Sequence, residues 1–369
     1  MKRIFRTSYI LGIGAMLISG SLSAGNGDRA GQAGATHLLI NPWAKSSAWG
    51  GAGSANEQGL EGQFMNPAGL AFAKKTEILF THTRWLEGSD ISINAAGLAQ
   101  RLSKNDVLAL SVTAMSFGNI PITTVDKPEG TGATYSPRYL NIGLSYARSF
   151  SDKIHGGLNV RVINESIDNV SATGFAIDAG VQYQTTLGKG ENKKNNFVFG
   201  IELKNIGPRM KYKGDGLNSK VVLPNGASLT QSQRAADYEM PALLNIGVMY
   251  RIRFAKEHKF TPAFNVAINS FTRDQYALGL EYAFRDILML RGGYTFETGI
   301  FSKDRDALNT NLLNAFTGPS AGASVDIPLS KGAKVNESGK LQPRFGIDYS
   351  FRATYNFQGV HSIGARITL

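Results

Sequence analysis

The chain has 369 residues, a net charge of +11 and no cysteine, so a large domain is possible while disulfide staples, thiolate metal sites and a lipid-modified N-terminal cysteine are excluded. Glycine (42), phenylalanine (20) and tyrosine (13) are plentiful. Beyond the N-terminus no run of about 18 apolar residues occurs, which excludes spanning helices and leaves spanning strands open.

Lys2, Arg3 and Arg6 precede an apolar run from Tyr9 to Ile18 and then small residues through Ala24. That order predicts a secretory signal over residues 1–24, cut after Ala24, with Ser23 and Gly25 as neighbouring alternatives. The run is too short for the roughly 20 residues of a membrane anchor. An exported chain follows. Its densest basic run, Lys189-Gly190-Glu191-Asn192-Lys193-Lys194, lacks interleaved aromatics and reads as a solvated turn, not a nucleic-acid patch.

Residues 25–75 are predicted to form a plug. From Leu38 to Phe72 the sequence follows neither a strand nor a helix period. Asn41-Pro42, Asn66-Pro67 and the cluster Gly50-Gly51-Ala52-Gly53 impose turns and permit close backbone approach. Between them run Leu38, Trp43, Trp49, Leu60, Phe64, Met65, Leu70 and Phe72, which calls for burial inside an enclosing structure.

Residues 76–369 supply the enclosure. Leu140, Ile142, Leu144 and Tyr146 alternate with Asn141, Gly143, Ser145 and Ala147, and Phe175, Ile177, Ala179, Val181 and Tyr183 alternate with Gly174, Ala176, Asp178, Gly180 and Gln182. This period of two places apolar and polar side chains on opposite faces of a sheet. The pattern recurs in fourteen segments, at 76–86, 89–102, 106–118, 138–150, 153–167, 171–187, 195–206, 240–254, 258–271, 274–285, 287–298, 316–328, 342–355 and 359–369. Most reach the roughly 9–11 residues that cross a bilayer at a tilt, and an even count closes a single-chain barrel. The fold class predicted is all-β, a transmembrane antiparallel barrel of about 14 strands with an N-terminal plug.

Long connections at 119–137, 207–239 and 299–315 all follow odd-numbered segments, as extracellular loops should if the plug lies toward the periplasm. The connection 329–341 departs from that rule. Tyr139, Tyr183, Tyr250, Phe254, Tyr282, Phe284 and Tyr294 stand near strand ends and are expected to form aromatic belts. The inward parity carries Arg161, Arg251, Arg291, Arg344 and Arg352 against Glu165, Asp178, Glu202, Glu281 and Asp348. These are expected to compensate one another around the plug rather than to line an ion pathway.

No catalytic constellation is visible. Gly50 to Gly53 lacks the spacing and preceding strand of a dinucleotide loop, and His37, His82, His155, His258 and His361 are dispersed without metal-ligand spacing. No cofactor, no metal and no enzymatic activity are expected.

Two stretches carry a family resemblance: Trp49-Gly50-Gly51-Ala52-Gly53-Ser54-Ala55, and Gln63-Phe64-Met65-Asn66-Pro67-Ala68-Gly69-Leu70-Ala71-Phe72. Looser matches run from Glu239 to Gly247, Ala277 to Tyr282 and Leu290 to Tyr294. On these residues the chain resembles the PorV/PorQ family, itself similar to FadL-type outer-membrane barrels. The resemblance implies a cell outer-membrane protein of type IX secretion with partners among the translocon, exported cargo bearing a C-terminal β-sandwich signal, and a surface attachment complex. It also implies that Trp49, Gly50, Gly51, Gly53, Asn66, Pro67, Ala68 and Gly69 shape the plug and that the long outer loops dock partners. The alternative is a FadL-type transporter of hydrophobic small molecules whose plug gates a lateral opening. The terminal Ile367-Thr368-Leu369 departs from the aromatic end common in such barrels.

Overall fold

The computed structural model describes residues 25–188, 195–254, 257–297, 316–329, 343–354 and 357–369. The predicted signal, the basic run 189–194, the loop 299–315 and nearly all of the connection 329–341 lie outside them.

Fourteen long strands account for all fourteen predicted segments. They are β1 (Thr76–Arg84), β2 (Ser92–Arg101), β3 (Asp106–Ser116), β4 (Arg138–Ser149), β5 (Ile154–Ile167), β6 (Val170–Thr185) and β7 (Phe197–Ile206). Then come β8 (Leu243–Tyr250), β9 (His258–Asn269), β10 (Gln275–Phe284), β11 (Leu288–Glu297), β12 (Gly318–Pro328), β13 (Arg344–Thr354) and β14 (Phe357–Thr368). Each pairs antiparallel with its neighbour in sequence, and β1 pairs with β14 through Ile78↔Ile367 and Phe80↔Ala365, which closes the barrel.

Burial shows which medium surrounds it. On β5, Leu158, Val160 and Val162 are 52%, 47% and 50% exposed, whereas the intervening Asn159 and Arg161 are each 3% exposed. Apolar side chains outside and polar ones inside is the inverse of a water-soluble sandwich, and it is stable when hydrocarbon is the outer medium. Accordingly, Val160→Arg at the middle of this strand is expected to cost about 2–4 kcal/mol. The same change at Val125, a loop residue 99% exposed, should cost almost nothing; equilibrium urea unfolding in lipid checks both.

The connections distinguish two rims. One carries the long loops 119–137 and 207–239, each with a two-stranded ribbon: Ile120–Pro121 with Thr134–Tyr135, and Asn218–Val222 with Ser228–Ser232. The other carries short turns such as 102–105 and 150–153, and there Leu369 N–H donates to the Thr76 carbonyl at 2.8 Å. The ladders β1–β2, β2–β3 and β3–β4 keep register from end to end. Among the described residues, wall registers shift between Ile177 and Ala179 on β6 and between Arg352 and Thr354 on β13. At the first shift Asn205 takes a left-handed φ of 60°.

Tyr139 corrects one expectation. It shares the inward parity of Asn141 and Gly143, stacks on His37 with ring centroids 4.4 Å apart and meets Phe117 edge-on, so it belongs to the lumen and not to an aromatic belt.

Candidate functional site

The lumen is occupied by residues 25–73, which run from one rim to the other. The chain begins at the long-loop rim: Gly25 N–H donates to Asp274 Oδ2 at 2.9 Å, and Asn26 N–H to the Asn269 carbonyl at 3.3 Å. Ala33 forms a parallel bridge with Glu239, and Gly34 N–H donates to the Glu239 carbonyl at 3.0 Å. Arg29 reaches the Glu239 carboxylate at 3.1 Å while lying 4.1 Å over the Phe271 ring. The hydrogen bond from Arg29 holds the Glu239 carboxyl below its usual range, so this tie persists at neutral pH and is lost as pH falls through that lowered value.

One turn further, His37 Nδ1 stands 3.3 Å from Glu165 Oε1 on β5. The same carboxylate accepts from Tyr212 at 2.5 Å and Tyr238 at 2.7 Å, both from the loop 207–239. Burial, then these bonds to Glu165, pushes both phenols far above their ordinary value and keeps them as donors. Leu38 packs with Ile163, Met210 and Met240 alongside. The second long loop is thereby tied to both the wall and the N-terminal segment.

Below this rim the segment turns at the predicted positions. Asn41 Oδ1 accepts from Trp43 N–H at 3.0 Å and its amide donates to Ser46 Oγ at 2.9 Å. Gly50 and Gly51 adopt φ of 60° and 92°, the region where a side chain is strained. The Gly50 carbonyl accepts from Thr295 on β11. Trp49 lies against Gly279 of β10 and Gly293 of β11: a Cβ on either would fall within 2.6 Å of it. Gly53 faces Met65, and Gly69 meets Gly62 backbone to backbone.

Asn66 joins the segment to the wall. Its Oδ1 accepts from Ala68 N–H at 3.0 Å and caps the 3-10 turn Pro67–Phe72, with Pro67 in the first position where no N–H is needed. Its Nδ2 donates to Ser54 O at 2.9 Å, Val181 O at 3.3 Å on β6 and Ile201 O at 3.2 Å on β7. The structure thus places Trp49, Gly50, Gly51, Gly53, Asn66, Pro67, Ala68 and Gly69 together in the lumen.

What admits them is a belt of glycines on the inward parity of the wall. A methyl group on Gly157 of β5 would fall 2.3 Å from the Pro67 carbonyl oxygen. On Gly180 of β6 it would fall 2.0 Å from Asn66 Oδ1, and on Gly200 of β7 2.4 Å from the Ser54 carbonyl oxygen. Gly322 of β12 closes similarly on Ala48. The polar parity of Gly180 was visible in sequence; that it faces the segment's backbone was not.

Several of the inward-facing charges have partners. Arg161 Nη2 pairs with Asp178 Oδ1 at 2.7 Å, both almost fully buried, and Asn159 donates to the other carboxylate oxygen at 3.0 Å. Arg291 pairs with Glu281 at 2.7 Å. Arg344 pairs with Asp326, and Asp348 pairs with Arg366 at 3.8 Å, partners that sequence reading did not supply. Arg352 lies 4.6 Å over the Phe316 ring, and Glu202 accepts from Asn245 at 2.7 Å. Arg251 lies between the end of β8 and the pairing with β9 that resumes at Ile252–Arg253, its N–H donating to the Asn196 carbonyl, and among the described residues no carboxylate lies within salt-bridge reach of it.

The segment also brings charges of its own. Lys45 pairs with Glu57, Glu61 accepts from Ser46 N–H at 2.7 Å, and Glu77 of β1 accepts from Leu60 N–H at 2.9 Å and Lys74 N–H at 3.1 Å. Lys204 of β7 lies 3.3 Å over the Phe64 ring. What space remains includes a cavity of about 40 Å³ beside His37, Gln63, Tyr139 and Arg161 and one of about 110 Å³ beside Gly50, Asn245, Gln275 and Arg352.

In sequence, residues 24–232 match the family described as type IX secretion system protein PorV. In fold, the chain is similar to the Pseudomonas putida toluene transporter TodX, with a TM-score of 0.53 at 14% identity over 89% of this chain and 97% of that one. It is also similar to the TodX deltaS2S3 mutant monoaromatic hydrocarbon channel, with a TM-score of 0.50 at 14% identity, covering 94% and 99%. A Pseudomonas aeruginosa FadL homologue aligns with a TM-score of 0.47 at 12% identity, over 89% and 96%. No curated protein matches the chain in sequence.

Proposed function

The chain belongs to the family of the type IX secretion system protein PorV, and from that premise we propose that it is an outer-membrane component of type IX secretion that works by binding proteins. The long-loop rim faces outward, and the loops 119–137 and 207–239 receive the translocon, the C-terminal signal domain of exported cargo, or the attachment complex. Residues 25–75 act as a plug that makes the barrel a rigid support for those loops.

The observation that carries this reading is the filled lumen. The segment crosses it from rim to rim, bonded to the walls through Asn66, Gly50 and Glu77, and the two cavities beside it hold only about 40 and 110 Å³. The second reading, a transporter of hydrophobic small molecules, is favoured by the shared fold with the toluene transporter TodX. It needs an apolar path to the wall near β1 to β3, where the ladders run unbroken.

Purification from detergent-solubilised envelopes is expected to recover large protein partners, and removing the ribbon at 218–232 should abolish their recovery without loss of the folded barrel. A lone barrel, together with unimpaired secretion in a deletion strain, would overturn the proposal. Uptake of an aromatic hydrocarbon that is lost in that strain would favour the transporter instead.

A further inference from the structure

The N-terminal contact with the β9–β10 turn joins a backbone N–H to a buried carboxylate. Asp274 is 2% exposed; its Oδ2 accepts from Gly25 N–H at 2.9 Å and its Oδ1 from Asn269 N–H at 3.3 Å. The surroundings are rich in acceptors. A Cβ on Gly25 would fall 2.5 Å from Asp274 Oδ1, 2.7 Å from the Asp274 backbone nitrogen and 2.8 Å from the Thr272 carbonyl oxygen, so this position holds a residue without a side chain. The sequence independently predicts the signal cut between Ala24 and Gly25.

We infer that Gly25 is the first residue of the processed chain and that its α-ammonium forms an ion pair with the buried Asp274 carboxylate, which docks residues 25–40 on the long-loop rim. Hydrolysis of the Ala24–Gly25 amide takes up one water, leaves the carboxylate on the released peptide and, after protonation, gives Gly25 three N–H donors and a full positive charge. The uncut chain offers a neutral amide at that position instead. A charge-assisted bond is roughly twice as strong as a neutral one, and a buried carboxylate gains most from it. Because Gly34 and Arg29 of the same stretch hold Glu239, and His37 meets the Glu165 that anchors Tyr212 and Tyr238, cutting would also set the second long loop in place.

The inference does not rest on the secretion role. Its test uses the full barrel purified from membranes, with intact mass and N-terminal sequencing to read the first residue, and acylation by an N-hydroxysuccinimide ester at near-neutral pH to read the exposure of the α-amine. The expected result is a start at Gly25, an amine protected about tenfold or more in the folded barrel, and loss of that protection in Asp274→Asn but not in Asp28→Asn. Gly25→Ala, whose methyl group has no room, is expected to lose protection likewise and stands in if Asp274→Asn does not assemble. A start at another residue, or an amine that reacts as fast in the wild type as in either variant, would overturn it.

Discussion

Gly157→Val is expected to drive the N-terminal segment out of its seat. The valine side chain would meet not a flexible neighbour but the Pro67 carbonyl, whose oxygen and carbon lie 2.3 Å and 2.4 Å from the position of a first carbon. Overpacking a core ordinarily costs about 1–3 kcal/mol because side chains give way, and a backbone held at Asn66 by four hydrogen bonds gives way less. The cost should therefore reach the top of that range or exceed it. Limited proteolysis of the detergent-solubilised barrel would show new cleavage within residues 43–72, with β1 to β14 left resistant. The control is Gly292→Val, where a Cβ meets nothing closer than 3.9 Å. Equal proteolysis of both variants would refute the account of the glycine belt.

Arg161→Met should cost about 3–5 kcal/mol, the range for stranding one member of a buried ion pair. Asp178, 1% exposed, would keep only the Asn159 amide at 3.0 Å and the Asn205 N–H at 2.7 Å. Arg161 also donates to Asn205 Oδ1, so the register shift between β6 and β7 loses a support at the same time. Adding Asp178→Asn to Arg161→Met is expected to recover part of the loss, because no uncompensated carboxylate then remains. Urea unfolding midpoints of the three variants decide it. A double variant no better than the single one would mean that Arg161 acts through packing and not through charge.

The barrel was legible because its signal is local. Each strand states its own parity within a dozen residues, so fourteen segments could be counted one at a time, and each coincides with a strand. Asn66-Pro67-Ala68 was legible as a turn for the same reason, since the cap it forms spans two residues. The path of residues 25–40 was not. Its ties, Gly25 to Asp274 and Arg29 to Glu239, join positions more than two hundred apart and leave no mark on the sequence near either end. Arg366 as the partner of Asp348 and Asp326 was hidden likewise, since cross-strand pairing depends on register, which period two does not give. Arg251 stands at a break of another kind, between the end of β8 at Tyr250 and the pairing with β9 that resumes at Ile252–Arg253.

The seam between β1 and β14 carries a consequence for timing. β1 begins directly after the segment that fills the lumen, and its second neighbour is the last strand of the chain, Phe357–Thr368. The segment thus waits for β14, about 280 residues further along the chain, before it is enclosed. During that interval Trp43, Trp49, Leu60 and Leu70, all buried in the finished molecule, lack their complete wall. A chain of this design stays aggregation-prone until β14 is in place, and it depends on a holding factor for longer than a barrel with an empty centre would.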